Sequence, residues 1–322
     1  MNNILITGGA GFIGSFLAER LLGAGHTVRV LDDISTGDRA NIAHLEGRPG
    51  FRFIAGSIMD ELLLEGLIAE ADTICHLAAA VGVKFVVENP VRSIITNTRG
   101  AENVLRLAAA RGRRVFIASS SEVYGRSRDL PFREDGMLVF GPTQVSRWSY
   151  AASKAVDEFL ALAYAKETGL DVRVGRLFNI CGPRQTGAYG MVIPRFIAQA
   201  LRGEPLTVYG DGLQKRSFTY VDDAVTYIAA LTASAAARGG VYNIGSGNTV
   251  AILDLARMIK AMTASDSAIT FVPYAETYEK GFEDMENRIP DTTRLTAVCP
   301  AVRPLGLEEI LRRTIAYHRE RR

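Results

Sequence analysis

The stretch Thr7-Gly8-Gly9-Ala10-Gly11-Phe12-Ile13-Gly14 restricts this chain more than any other, because it follows the apolar run Asn3–Thr7 and opens a helical pattern. Glycines let a strand turn tightly into a helix and let the backbone approach a pyrophosphate. The helix N-terminus adds amide donors and a favourable dipole. A second apolar run, Val28-Arg29-Val30-Leu31, ends on Asp32 roughly twenty residues further on, where an acid accepts ribose hydroxyls. An acid there also repels a ribose phosphate, which favours NAD over NADP. Alone, Asp32-Asp33 reads as a solvated strand end and the glycines as a plain turn; their order along the chain joins them.

Candidate strands at 3–7, 28–31, 51–54, 73–77, 114–118 and 172–176 alternate with helical patterns at about 12–24, 91–111 and 149–168. That alternation predicts an α/β fold, a parallel sheet covered by helices on both faces. Runs without polar alternation, such as Ile4-Leu5-Ile6 and Val115-Phe116-Ile117, suit strands buried on both sides. After residue 178, Gly and Pro become frequent (Gly182, Pro183, Gly187, Gly190, Gly203, Pro205, Gly210, Gly212), the mark of loops and short elements. The expected organisation is a cofactor domain at 1–178, a smaller C-terminal α/β substrate domain at 179–322, and segments at about 219–246 returning to the first. Those returning pieces include a helix from near Asp222 and a strand Val241–Ile244.

Several function classes are disfavoured. The formal charge is +2, with Lys and Arg scattered rather than striped, so no nucleic-acid partner is expected. The Arg-rich end (Arg319, Arg321, Arg322) reads as a solvated helix terminus. No apolar run is long enough for a membrane span, and the start is already strand-like, so no signal peptide is expected. Cys75, Cys181 and Cys299 form no disulfide pattern and fit a reducing cytoplasm. The histidines show no metal-ligand spacing, and no metal is expected.

Tyr150-Ala151-Ala152-Ser153-Lys154 places a phenol and an ammonium at i and i+4 on one helical face. Ser119-Ser120-Ser121-Glu122 follows the strand at 114–118, at the C-terminal end where sites on open parallel sheets lie. A free phenol, with a pKa of about 10, is a poor base for a sugar hydroxyl at neutral pH. Lys154 and a positive nicotinamide would favour the phenolate, and a drop of ~3 units corresponds to roughly 4 kcal/mol. Ser120 would hold the same sugar oxygen.

Together the glycine motif, His76-Leu77-Ala78-Ala79, Ser119-Ser120-Ser121-Glu122-Val123-Tyr124-Gly125, Tyr150/Lys154 and Leu177-Phe178-Asn179 resemble the extended short-chain dehydrogenases/reductases that act on nucleotide sugars. Leu206–Gly212 and Arg216–Asp222 match as well, so the resemblance spans nearly the whole chain. It implies an N-terminal Rossmann domain with a doubly wound parallel sheet, tightly held NAD, and a homodimer built on helices like 91–111 and 149–168. It places Gly8, Gly11, Phe12, Ile13, Gly14, Asp32, Ser57, Ile58, Leu77, Ala78, Ala79, Tyr150, Lys154 and Phe178 at the cofactor. Ser120, Glu122, Tyr150 and Lys154 become the catalytic set, and Asn179, Val192, Tyr209, Arg216 and Arg288 the substrate contacts. Many members carry an acid near the adenine where this chain has Ser57-Ile58. Arg216 has a plainer reading as a surface ion-pair partner.

All these reactions begin with oxidation at sugar C4. Family dehydratases usually carry Thr-Asp-Glu where this chain has Ser120-Ser121-Glu122. UDP-glucuronate decarboxylases are more similar, in the Ser-Glu pair before Val-Tyr-Gly, in Arg216 and in Arg147-Trp148-Ser149-Tyr150. The expected substrate is thus a UDP-linked sugar acid, and the product UDP-xylose or its 4-keto form. The Tyr-Ala-Ala-Ser-Lys run and Gly82-Val83-Lys84 are also similar to 4-epimerases, which stay open as the alternative. A dehydratase and a non-catalytic NAD-bound regulator come after. Glu122 would disfavour a bound carboxylate relative to carbon dioxide, or else would merely cap its turn.

Overall fold

A computed structural model of the chain describes residues 1–187, 191–273 and 285–321, apart from the side chains of Val83 and Lys84; Gly190 and Arg322 lie outside the described residues. The first half builds β1 (Asn3–Thr7), α1 (Phe12–Gly23), β2 (Thr27–Asp32), β3 (Phe51–Ala55), α2 (Glu61–Ala69) and β4 (Thr73–His76). It continues through α3 (Val83–Glu88), α4 (Pro90–Ala110), β5 (Arg114–Ser120), α5 (Arg147–Thr168) and β6 (Val172–Leu177). The strand Val241–Ile244 returns to pair with β6, giving the order β3-β2-β1-β4-β5-β6-(241–244). Every pairing in this sheet is parallel. This is the expected doubly wound Rossmann sheet, and its order reverses between β1 and β4.

Alternation along each strand explains why both faces are apolar. Ile4, Ile6, Val28, Val30 and Phe116 face α1 and the helix Val221–Ala233, through Phe16, Leu17, Ile228 and Leu231. Leu5, Leu31, Ile74, Val115 and Ile117 face the other way, onto Leu64 of α2, Val104 and Leu105 of α4 and Ala161 of α5. The first of these layers runs on without a break into the C-terminal part, reaching Phe196, Leu255, Ile310 and Ile315.

The C-terminal part is assembled from short pairings. Lys215–Ser217 lies between Thr249–Ala251 and Asn287–Arg288, and Leu206–Tyr209 pairs in parallel with Ile269–Val272. Pairing Arg288 with Arg216 carries the segment at 287–288 to the mouth of the sheet. Among the described residues no helix is long and apolar enough to cross a membrane, and no cluster of His, Cys, Asp or Glu could hold a metal. The three cysteines are free and buried.

Candidate active site

A cleft of about 810 Å³ runs along the C-terminal ends of β1, β2, β4 and β5, at the point where the strand order reverses. Its floor is the glycine turn. Gly8, at φ 75°, lies so close to the next strand that a Cβ would stand 2.6 Å from the Ala78 amide nitrogen. A Cβ on Gly14 would stand 2.2 Å from the Gly8 carbonyl oxygen, so helix and turn can only pack this way without side chains. No side chain caps α1 at Gly11, which leaves its first-turn amides, those of Phe12 and Ile13 among them, to a ligand. Asp32 ends β2, with Oδ2 accepting from the Ala10 amide (2.9 Å) and Oδ1 from Ile34 (2.8 Å). Burial raises its pKa, and each oxygen keeps a lone pair for a ribose hydroxyl. Leu77, Ala78 and Ala79 line the same wall, as do Ser57 and Ile58, which present a hydroxyl and a hydrocarbon rather than an acid. These residues fit a dinucleotide carrying no phosphate on its adenosine ribose.

Further along, Ser120 closes β5, and its Oγ accepts from the Glu122 amide (3.2 Å), capping a single 3-10 turn. Tyr150 stands in the first turn of α5, with its phenol beside Ser120. Burial raises the Tyr150 pKa above that of a free phenol, the charges of Glu122 and Asp157 adding to the rise, while Ser120 and Arg288 oppose it. Lys154 lies one turn on. It was expected to favour the phenolate, but its ammonium is engaged with Asp157, Nζ to Oδ2 3.1 Å, both side chains almost wholly buried. The resting cleft therefore holds Tyr150 protonated. Beneath Lys154 is buried His76, bonded through Nδ1 to Thr7 Oγ1 (2.7 Å) and kept neutral down to a pKa of about 3 by burial and by the Lys154 charge.

At the sugar end, Glu122 lies between two guanidiniums. Arg288 Nη1 is 2.7 Å from Oε1 and Arg147 Nη2 is 3.4 Å from Oε2, with side chains only 5–16% exposed. Its side chain thus belongs to a charge cluster, and the turn is capped by Ser120 instead. Among the described residues this carboxylate lies between two buried guanidiniums beside Tyr150. The Nε of Arg288 is buried without a hydrogen-bond partner among the described residues.

Asn179 also lines the cleft, in the left-handed region at φ 37°, its amide donating to the Ser217 carbonyl (2.8 Å). The other residues expected at cofactor or substrate lie off the cleft lining among the described residues. Phe178 is fully buried and packs with Tyr124 and Trp148. Val192 starts a helix and packs on the core, while Tyr209 lies beneath the Arg195 guanidinium, 4.1 Å from ring centroid to carbon. Arg216 is buried rather than on the surface, and it donates to the carbonyls of Met285 (2.7 Å) and Glu286 (3.1 Å), bracing the backbone that presents Arg288. Sequence reasoning gave Arg147 no role, although its position three residues before Tyr150 puts both on one helical face. It also missed Arg92 of α4 and the helix end at Tyr317, His318 and Arg321, all of which line the cleft. Arg321 is therefore more than a solvated terminus.

The family model described as "NAD dependent epimerase/dehydratase family" matches residues 4–245. A UDP-N-acetyl-alpha-D-glucosaminuronate decarboxylase of Bacillus cytotoxicus is 43% identical over 98% of this chain and 97% of its own. UDP-glucuronic acid decarboxylase 1 of Danio rerio is 38% identical over 98% of this chain and 72% of its own. Among solved structures, a UDP-glucuronic acid 4-epimerase from Bacillus cereus, in complex with UDP-glucuronic acid and NAD, superposes with a TM-score of 0.89 at 26% identity, covering 99% of this chain and 100% of that one.

Proposed function

The chain belongs to the NAD-dependent epimerase/dehydratase family, and we propose that within it this protein is a decarboxylase of a UDP-linked sugar acid, UDP-glucuronate in the first place. The observation that carries this reading is the cluster of Arg147, Glu122 and Arg288 beside Tyr150. Buried guanidiniums suit a carboxylate on C5, which accepts charge-assisted, bidentate hydrogen bonds that a neutral sugar does not offer. The names of the similar decarboxylases support it, and both name a uronate.

NAD, when bound, supplies the hydride acceptor for sugar C4. Tyr150 takes the proton of the C4 hydroxyl and Ser120 holds that oxygen, so C4 becomes a ketone. The C5 carboxylate is then β to a carbonyl; its bond to C5 breaks, carbon dioxide leaves, and the electron pair moves onto the C4 oxygen as an enolate. Ser120 and the Tyr150 hydroxyl, which now carries its proton, stabilise that oxygen. Glu122, sharing the two guanidiniums with the substrate carboxylate, disfavours the anionic acid relative to neutral carbon dioxide. The enolate then needs one proton at C5. Asn179 holds the diphosphate side, and Arg216 acts through the backbone at 285–286 that presents Arg288.

The 4-epimerase remains the second reading, because the Bacillus cereus neighbour is an epimerase crystallised with the same class of acid. Incubation with UDP-glucuronate, UDP-N-acetylglucosaminuronate and UDP-glucose, followed by product masses, separates the two: loss of carbon dioxide marks the decarboxylase, an isomer of unchanged mass the epimerase.

The working form of this reading is a cytoplasmic homodimer with a cofactor domain at 1–178 and a substrate domain at 179–322. Two observations support it. α4 and α5 pack side by side and leave Val91, Ile94, Ile95, Val156 and Phe159 exposed on their outer faces, Val91 and Phe159 by 69% each. Three free buried cysteines suit a reducing compartment.

A further inference from the structure

We propose that Asp157 is a positioning residue that pins the Lys154 ammonium and offsets its charge, and so sets when Tyr150 gives up its proton. The geometry is a closed pair: Nζ to Oδ2 3.1 Å, with side chains 3% and 0% exposed. The second oxygen of Asp157 has no hydrogen-bond partner among the described residues, so Lys154 is the one group that holds this carboxylate there. Such a pair gives little to the fold, since breaking even with its desolvation is the usual outcome for buried ions. Around this pair the inner face of α5 carries the small residues Ala151, Ser153, Ala155 and Ala161. Its structural ion pair is already supplied next door: Glu158 binds Arg176 of β6 (2.7 Å) and accepts from Ser119 of β5 (2.5 Å).

The charges acting on the phenol are Glu122 on the turn after β5, Arg288 on the strand at 287–288 and Asp157 on α5, whose cations here are Arg147, paired with Glu122, and Lys154, paired with Asp157. His76 of β4 faces Lys154 as a neutral ring, and Glu158 is neutralised by Arg176. Asp157 is the negative charge that cancels the ammonium meant to acidify Tyr150. With it present, the phenol keeps its proton until a further positive charge enters the cleft, and keeps that proton again once the charge is gone. Substrate oxidation would then be confined to the loaded site, and the proton taken from the C4 hydroxyl would stay on Tyr150 while the carboxylate leaves.

This rests on Tyr150 being the base, and its test needs no substrate. Protein labelled with [13C]tyrosine at Cζ and saturated with NAD is titrated by NMR, with the Tyr150 resonance assigned by its loss in Tyr150→Phe. In Asp157→Asn the midpoint should fall by about one pH unit, a tenfold gain in phenolate at a given pH, and the acidic limb of the turnover profile should move with it. Asp157→Glu, which keeps the charge, should titrate close to the parent protein. Asp157→Ser gives the same reading should the Asn variant fail to fold. An unmoved or raised midpoint in a folded, charge-removed variant overturns the proposal, whatever product the enzyme makes; a wrong substrate reading leaves the titration untouched.

Discussion

Replacing Glu122 by Gln removes the carboxylate that lies between Arg147 and Arg288 while keeping its shape. With side chains 5%, 13% and 16% exposed, the cluster is buried enough for the loss of one partner to matter. Breaking such a pair costs about 3 kcal/mol, because the guanidiniums stay desolvated and repel each other. A chain of this length gains unfolding entropy of roughly 0.7 kcal/mol per kelvin, so the melting temperature of Glu122→Gln should fall by about 4 °C. The missing charge is what a uronate brings. Ligand at a hundred times its dissociation constant contributes about 2.7 kcal/mol, enough to restore nearly all of that loss. UDP-glucuronate should therefore raise the melting temperature of the variant by more than it raises the parent's, UDP-glucose should raise both equally, and carbon dioxide release should slow well beyond any change in binding. Differential scanning fluorimetry with the two ligands reads the contrast. Equal gains from UDP-glucuronate in parent and variant would refute the view that this cluster receives a carboxylate.

Four further outcomes are expected. Tyr150→Phe should lose roughly 10²–10⁴ in turnover with the fold retained, and more than a tenth of the activity remaining would remove this tyrosine as the base. Asp32→Ala should relax the preference for NAD over NADP, read by calorimetry of both cofactors; equal affinities already in the parent would contradict the assignment. His76, neutral down to about pH 3 in the folded protein, takes up its proton near pH 6.5 once unfolded, so stability should drop as pH falls through that window. Denaturant titrations should show that loss, about 3 kcal/mol near pH 4.5, shrink in His76→Gln, and parallel acid curves would count against it. Phe159→Glu should turn the dimer into a monomer in sedimentation, and a parent protein that is already monomeric would dismiss the α4–α5 face as the interface.

The sheet was legible because its strands are uninterrupted apolar runs and its long helices hold a clear period. β1, β5 and β6, α1, α4 and α5 all fall within two residues of where the sequence put them. α2 was missed: Leu62-Leu63-Leu64 blurs the helical period, Leu62 being 85% exposed, and Gly66 sits in its middle. The two- and three-residue strands at 215–217, 249–251 and 287–288 carry no local signal, since distant segments create them by pairing. The glycine turn, Asp32, Ser120 and Tyr150 were readable as a local grammar of strand, turn and helix. Two things were not. Arg216 has the fork suited to phosphate, yet the fork donates to the carbonyls of 285 and 286, which sequence cannot place beside it. Asp157 and Arg147 gain their meaning from neighbours in space, Lys154 on one side and Glu122 on the other.

The central claim is that the cleft cuts the C5–carboxylate bond of a UDP-linked uronate after oxidation at C4. The direct measurement is a single turnover of NAD-loaded protein on UDP-glucuronate labelled with 13C at the carboxyl carbon, with the released gas and the remaining nucleotide sugar both followed. The account predicts that the label leaves as carbon dioxide, one per substrate consumed, and that Tyr150→Phe abolishes the release. Label retained in a UDP-sugar of unchanged mass but inverted at C4 would contradict it.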